Sequence, residues 1–187
     1  GDGTGATQLM WAIFSEDGEL LVKKSVINDA DALISEQGYT LSTKLTKGQT
    51  YKATFWAQNQ NCTAYAVSDD MKVTVDYNGI NNDESRDAFY ATSDVFSVNS
   101  PSIVTVTLRR PFAQVNVGAN EWDVEYAKEA GMEVKTSSAT VKAVPNCINL
   151  FDGSLEGAVD VVYTASAKPE EYLTVDVDRN GEDEVYD

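Results

Sequence analysis

Apolar and polar residues alternate along most of this chain. Val73, Val75 and Tyr77 alternate with Lys72, Thr74 and Asp76, and Val104, Val106 and Leu108 with Thr105 and Thr107. Tyr51, Ala53 and Phe55 face one way while Lys52 and Thr54 face the other. A period of two is the mark of a half-buried strand. Runs of the same kind occupy Leu9–Phe14, Leu20–Ile27, Thr40–Leu45, Gln114–Val117, Val159–Ala165 and Tyr172–Val177. Turn dipeptides separate them at Asp17-Gly18, Lys47-Gly48, Asn78-Gly79, Asp152-Gly153 and Asn180-Gly181. About ten short strands, each with one wet face, predict a mainly β chain folded as an antiparallel β-sandwich over one core. The helices that a parallel sheet needs between its strands are mostly missing. Val104, Val106 and Leu108 are expected on the buried side of their strand, so Leu108→Ala should cost about 2–5 kcal/mol.

One short helix is predicted over Asn120–Gly131. Asn120 suits the N-cap, Asp123 favours the positive end of the helix, and Gly131 suits a left-handed terminator. Trp122, Tyr126 and Ala130 recur every four residues and are expected to form its buried stripe. The alternative use of such rings is a platform on which sugars stack. Two stretches lack a clear period and read as long connections, Gln58–Met71 and Asn78–Asp87.

Composition narrows the chemistry. The 187 residues, 42% hydrophobic and 10% aromatic, suit a single globular domain with a flexible start over residues 1–7. Fourteen basic residues against thirty acidic ones give a net charge of −16, which repels nucleic acid and anionic membrane surfaces. No stretch is long and apolar enough for a membrane helix. The chain has no histidine, the usual general base near neutral pH and a common metal ligand. Neither a Ser-His-Asp nor a Cys-His site can be built from it, and Cys62 and Cys147 lack the paired spacing of a zinc site. Those two cysteines are either free thiols or one disulfide. A pair of carboxylates for glycoside hydrolysis needs only two acidic residues, but no pair stands out among thirty.

The acidic tail carries the most suggestive chemical motif. Asp176, Asp178, Asn180, Glu184 and Asp187 stand at positions 1, 3, 5, 9 and 12 of a calcium-loop pattern, with Gly181 at position 6. The competing reading is a hairpin turning at Asn180-Gly181, with Arg179 opposite Glu182. The strand-like Tyr172–Val177 favours the hairpin, because such calcium loops are entered from a helix. No cofactor is expected, and calcium remains the alternative.

The string Arg109-Arg110-Pro111-Phe112-Ala113-Gln114, followed by Asn116 and Gly118, resembles the signature strand pair of the fimbrillin-like surface proteins of Gram-negative anaerobes. Met10–Phe14 with Glu16-Asp17-Gly18, Gly48–Tyr51 leading to Phe55-Trp56-Ala57-Gln58, Asp87-Ala88-Phe89-Tyr90, and Phe151-Asp152-Gly153 agree with that family in order and spacing. The resemblance implies a transthyretin-like Greek-key sandwich, the N-terminal domain of a longer two-domain secreted protein. It implies a surface or outer-membrane location, held by a lipid anchor upstream of this sequence.

It further implies a structural or adhesive subunit (stalk, tip or anchor) without enzymatic activity, whose partners are other fimbrial subunits joined by strand addition. Host or bacterial surface ligands are a further partner class. The segment around Ala6–Phe14 is the expected place of exchange. A glycan- or calcium-binding module is the alternative function, and a carbohydrate-active hydrolase a more distant one. On physical grounds Pro111 ends a ladder, because it has no N–H to donate. Arg109 and Arg110 are expected each to meet a carboxylate, or together to dock an acidic partner. Phe112 should anchor whatever follows.

Overall fold

The computed structural model describes residues 5–29, 38–78, 83–113, 121–132, 137–165, 173–175 and 184–186. The chain divides into two compact units, one comprising Gly1–Pro111 with Lys142–Val161, the other Phe112–Val141 with Val162–Asp187.

The first unit is an antiparallel β-sandwich. Its larger sheet is built from β1 (Gln8–Ser15), β2 (Leu20–Ile27), β3 (Thr50–Gln58), β6 (Ala88–Thr92) and β7 (Phe96–Ser97), in the order β2-β1-β3-β6, with β7 also on β3. The smaller sheet orders β10 (Leu155–Glu156), β9 (Cys147–Asn149), β5 (Lys72–Val75) and β4 (Tyr65–Val67). The register of β1 on β3 sets Met10 opposite Trp56, Ala12 opposite Thr54 and Phe14 opposite Lys52, so these side chains share one face. That face meets the smaller sheet. Phe14 packs on Phe151 with ring centroids 5.1 Å apart, and Trp56 stands edge-on to Tyr65 at 5.2 Å. Trp56, Met71, Val73 and Leu150 are fully buried between the sheets.

The opposite face of the larger sheet is also covered. Ile13, Tyr51 and Ala53 are buried there beneath Trp11, Val22, Leu45, Phe55, Phe96 and Val98. The Tyr51 hydroxyl donates to the Thr46 carbonyl at 2.8 Å, tying down the segment that supplies Leu45. With both faces dry, β3 loses the simple alternation of a surface strand and takes polar residues into the core. Gln58 is buried because its Oε1 accepts from the Trp56 indole N–H at 2.8 Å and its Nε2 donates to the Cys62 carbonyl at 3.4 Å. That bond is the physical content of the Trp56-Ala57-Gln58 string.

In the remaining chain, β8 (Ser137–Val144) pairs with β11 (Val159–Ala165), and β12 (Leu173–Val175) with β13 (Glu184–Tyr186). One α-helix, α1 (Glu121–Glu129), is present among the described residues, and Gly131 ends it at φ +75°. The Asp17-Gly18, Lys47-Gly48 and Asp152-Gly153 turns form as expected, each with a left-handed glycine.

Four expectations fail. Gln58–Met71, expected as a long connection, contains the strand β4. Thr40–Leu45 and Val104–Leu108 are not strands. Of the latter run Val104 is exposed and Val106 and Leu108 only half-buried. Trp122 and Tyr126, the expected buried stripe of α1, are 69% and 65% exposed. Alternation and helical spacing report which residues share a face; they do not report whether anything lies against that face. The expected strand at Gln114–Val117 and the cap at Asn120 fall outside the described residues.

Candidate functional site at the sheet edge

β6 is the outer strand of the larger sheet, paired through Phe89↔Ala57 and Tyr90↔Trp56 to β3 on one side. After β7 the chain is still held to the sheet, with Val98 N–H donating to the Gln49 carbonyl at 3.1 Å. Beyond that point, Ser102–Leu108 carries the alternation of a strand but pairs with no strand among the described residues, and Ile103 is 91% exposed. The chain returns at Arg109, whose backbone exchanges two hydrogen bonds with Tyr90, at 2.8 and 2.9 Å, as an isolated antiparallel bridge on the free side of β6.

Arg110 then fixes the return. Its Nε donates to Asp87 Oδ1 at 2.8 Å and an Nη to Asp87 Oδ2 at 2.7 Å, a forked pair, while its guanidinium lies 4.9 Å from the centre of the Phe89 ring. The Asp87-Ala88-Phe89-Tyr90 and Arg109-Arg110 strings, about twenty residues apart in sequence, thus form one cluster. Of the two expected arginine–carboxylate pairs, this is the one observed. The Arg109 side chain is exposed and makes no ion pair among the described residues. Pro111 and Phe112 are half-buried and Ala113 exposed, and the division between the two compact units falls between Pro111 and Phe112. The proline therefore stops the ladder and marks a unit boundary. Gln114 and Asn116 lie outside the described residues.

The tail is entered from a strand. Val175 of β12 pairs with Glu184 of β13, Thr174 with Val185 and Leu173 with Tyr186. Glu184 is thus a ladder residue, and the antiparallel pairing is that of a hairpin's arms. Asp176, Asp178, Asn180 and Asp187, with the turn itself, fall outside the described residues. Among those described, no three His, Cys, Asp or Glu side chains are grouped to hold a metal. Cys62 and Cys147 are free, half-buried thiols.

Electrostatics at the sandwich is local. Tyr65 donates to the Arg86 carbonyl at 2.6 Å, and burial pushes its phenol above the usual range. Ser85 and Ser154 donate hydroxyl and backbone bonds to Asp83 and Asp152 and hold those carboxyls below their ordinary value. These are turn caps on exposed loops. They line no cleft.

A family profile matches residues 6–181. The chain belongs to a family of unknown function, DUF6562. No curated protein matches this DUF6562 chain. Two solved structures from Bacteroides thetaiotaomicron VPI-5482 share its fold. One is a candidate adhesin, with a TM-score of 0.57 at 12% identity over 98% of the DUF6562 chain. The other belongs to candidate polysaccharide-binding proteins of the DUF1812 group, with a TM-score of 0.58 at 16% identity over 97%. This chain spans 62% of the length of each. At such identities the likeness is one of architecture, and it places the DUF6562 domain among β-sandwiches.

Proposed function

We propose that this domain is an extracytoplasmic surface subunit, adhesive or structural and fimbrillin-like, which joins its neighbours by strand addition and performs no catalysis. The observation that carries the reading is the run Ser102–Leu108, with the sequence of a strand and no ladder among the described residues, leaving and rejoining the sheet beside its edge strand β6. An edge strand presents a row of unpaired N–H and C=O groups, and natural proteins either block such rows or use them. Here, among the described residues, the chain comes back to that edge at the single bridge of Arg109 to Tyr90.

A second extended chain laid against Ser102–Leu108 gains a main-chain hydrogen bond at every other residue and buries Val104, Val106 and Leu108 on one side. The resemblance pointed to the segment around Ala6–Phe14 as the place of exchange. In the sandwich β1 is central, paired to β2 and β3 along its whole length, so exchange there requires a buried strand to leave. The Ser102–Leu108 run requires no such step. The two structural neighbours, one a candidate adhesin and the other a candidate polysaccharide binder, support a surface role of this kind.

The test is Val104→Pro with Val106→Pro. Both residues lie outside every ladder among the described residues, so the double variant should keep the parent's melting temperature. Without those two N–H groups it should fail to bind the neighbouring subunits of its own surface assembly at about physiological salt. A variant that assembles as the parent does would refute pairing through this run.

A further inference from the structure

The exposed aromatic pair on α1 is a feature that the strand-addition reading does not use. Trp122 and Tyr126 stand four residues apart on a nine-residue helix, which places their Cβ atoms about 5–6 Å apart on one face. The more protected neighbour on that helix is Ala127, which is half-buried, while Glu125, Lys128 and Glu129 are exposed. Rings as large as these are ordinarily taken out of water, and two together on an open face are a mark of recognition. Among the described residues neither the Trp122 indole N–H nor the Tyr126 hydroxyl makes a hydrogen bond, so both polar tips are available to a ligand.

We propose that Trp122 and Tyr126 form a stacking platform for a neutral polysaccharide. The electron-rich faces of two adjacent rings attract the C–H edges of pyranose rings. Glu125 and Glu129 beside the rings accept hydrogen bonds from sugar hydroxyls, which carboxylates do in the charge-assisted form. The net charge of −16 disfavours uronate or sulfate polymers relative to a neutral one. A groove-binding protein helix would need a longer aliphatic row at positions i, i+3, i+4 and i+7, and α1 offers two rings set among carboxylates. An acidic helix is likewise unsuited to an anionic lipid surface.

The experiment uses the full chain in affinity electrophoresis and titration calorimetry. The neutral panel is a soluble β-glucan, an α-mannan, a galactan and amylopectin, and polygalacturonate is the charged control. Binding to at least one neutral polymer and none to polygalacturonate is expected. Trp122→Ala and Tyr126→Ala should each weaken that binding about tenfold, and Trp122→Phe, which keeps a ring, by less. The melting temperature of all three should stay at that of the parent, because the side chains are exposed. No binding to any neutral polymer would overturn the proposal. Equal affinity in the alanine variants would also do so, as would a change in oligomeric state in place of a change in sugar binding. Loss of strand pairing in the Val104→Pro, Val106→Pro variant should leave sugar binding intact, so the two proposals can fail separately.

Discussion

Gly18→Ala tests how the two halves of the sandwich are fitted together. Gly18 ends the turn after β1 at φ +91°, and its amide donates to the Ser15 carbonyl at 3.2 Å. A Cβ built there would stand 3.0 Å from Phe151 Cε1 and 3.3 Å from Cζ. The Phe151 ring has little room to retreat, because Phe14 packs on it at 5.1 Å and the Lys52 ammonium lies 4.9 Å from its centre. Two separate costs therefore fall on one substitution. The left-handed backbone costs an alanine about 1–2 kcal/mol. Crowding a packed ring adds about 1–3 kcal/mol.

Gly48 supplies the control. It has φ +82° in the turn before β3, and a Cβ there would meet nothing within 4 Å. Gly48→Ala should thus carry the backbone cost alone, about 1–2 kcal/mol. In urea melts analysed by linear extrapolation, Gly18→Ala should be the more destabilising by at least about 1 kcal/mol. Phe151→Leu in the Gly18→Ala background should recover part of the excess, as expected for two residues in contact. Equal costs at Gly18 and Gly48, to within about 0.5 kcal/mol, would refute the close approach of the turn to the ring.

Three further outcomes follow from buried or paired groups. Thr54 is fully buried with no partner for its Oγ1, so Thr54→Val should raise stability by about 1 kcal/mol in the same melts; a loss would mean that the hydroxyl is bonded in solution. Burial raises the Tyr65 phenol above its ordinary value of 10.0 in the folded state, so its contribution is complete below the unfolded value and is lost progressively as pH rises from there through the folded one. The stability gap between the parent and Tyr65→Phe should accordingly begin to narrow at about pH 10 and go on narrowing at higher pH, and a constant gap would contradict the buried phenol. Arg110→Lys keeps the charge but loses the fork on Asp87 and the contact with Phe89, and should cost about 0.5–1 kcal/mol by denaturant melt. No cost would leave Arg110 without a role in holding the edge.

Much of the sandwich is legible in the alternation of the chain. Leu20–Ile27 and Val159–Ala165 are strands with the bounds their patterns suggest, and Leu9–Phe14 lies within β1. Long strands show because many residues repeat the signal. The strands β4, β7, β9 and β10 have two or three residues each, too few for any period to register.

The misreadings at Thr40–Leu45, Val104–Leu108 and Trp122/Tyr126 share one physical cause. Each pattern marks a face correctly, but partnership is a tertiary property that no single segment encodes. Leu45 finds its cover on the outer face of the larger sheet without joining a ladder, whereas Ile103 finds none. The candidate site was half visible: the Arg109-Arg110-Pro111 string stands out in the sequence, but its contact with Asp87 and Phe89 depends on the return of the chain to β6.

Hydrogen exchange at Ser102–Leu108 tests the central claim most directly. In the isolated domain these amides pair with no strand among the described residues and should exchange at nearly the rate of an unfolded peptide, while Ala12, Ala53 and Trp56 are protected in the core strands β1 and β3. On addition of the neighbouring subunits at about physiological salt, alternate amides of the run should become protected with the period of a ladder, and the protection should persist as salt is raised. Unchanged exchange across Ser102–Leu108 in the assembled state, with protection appearing elsewhere, would contradict strand addition at this edge.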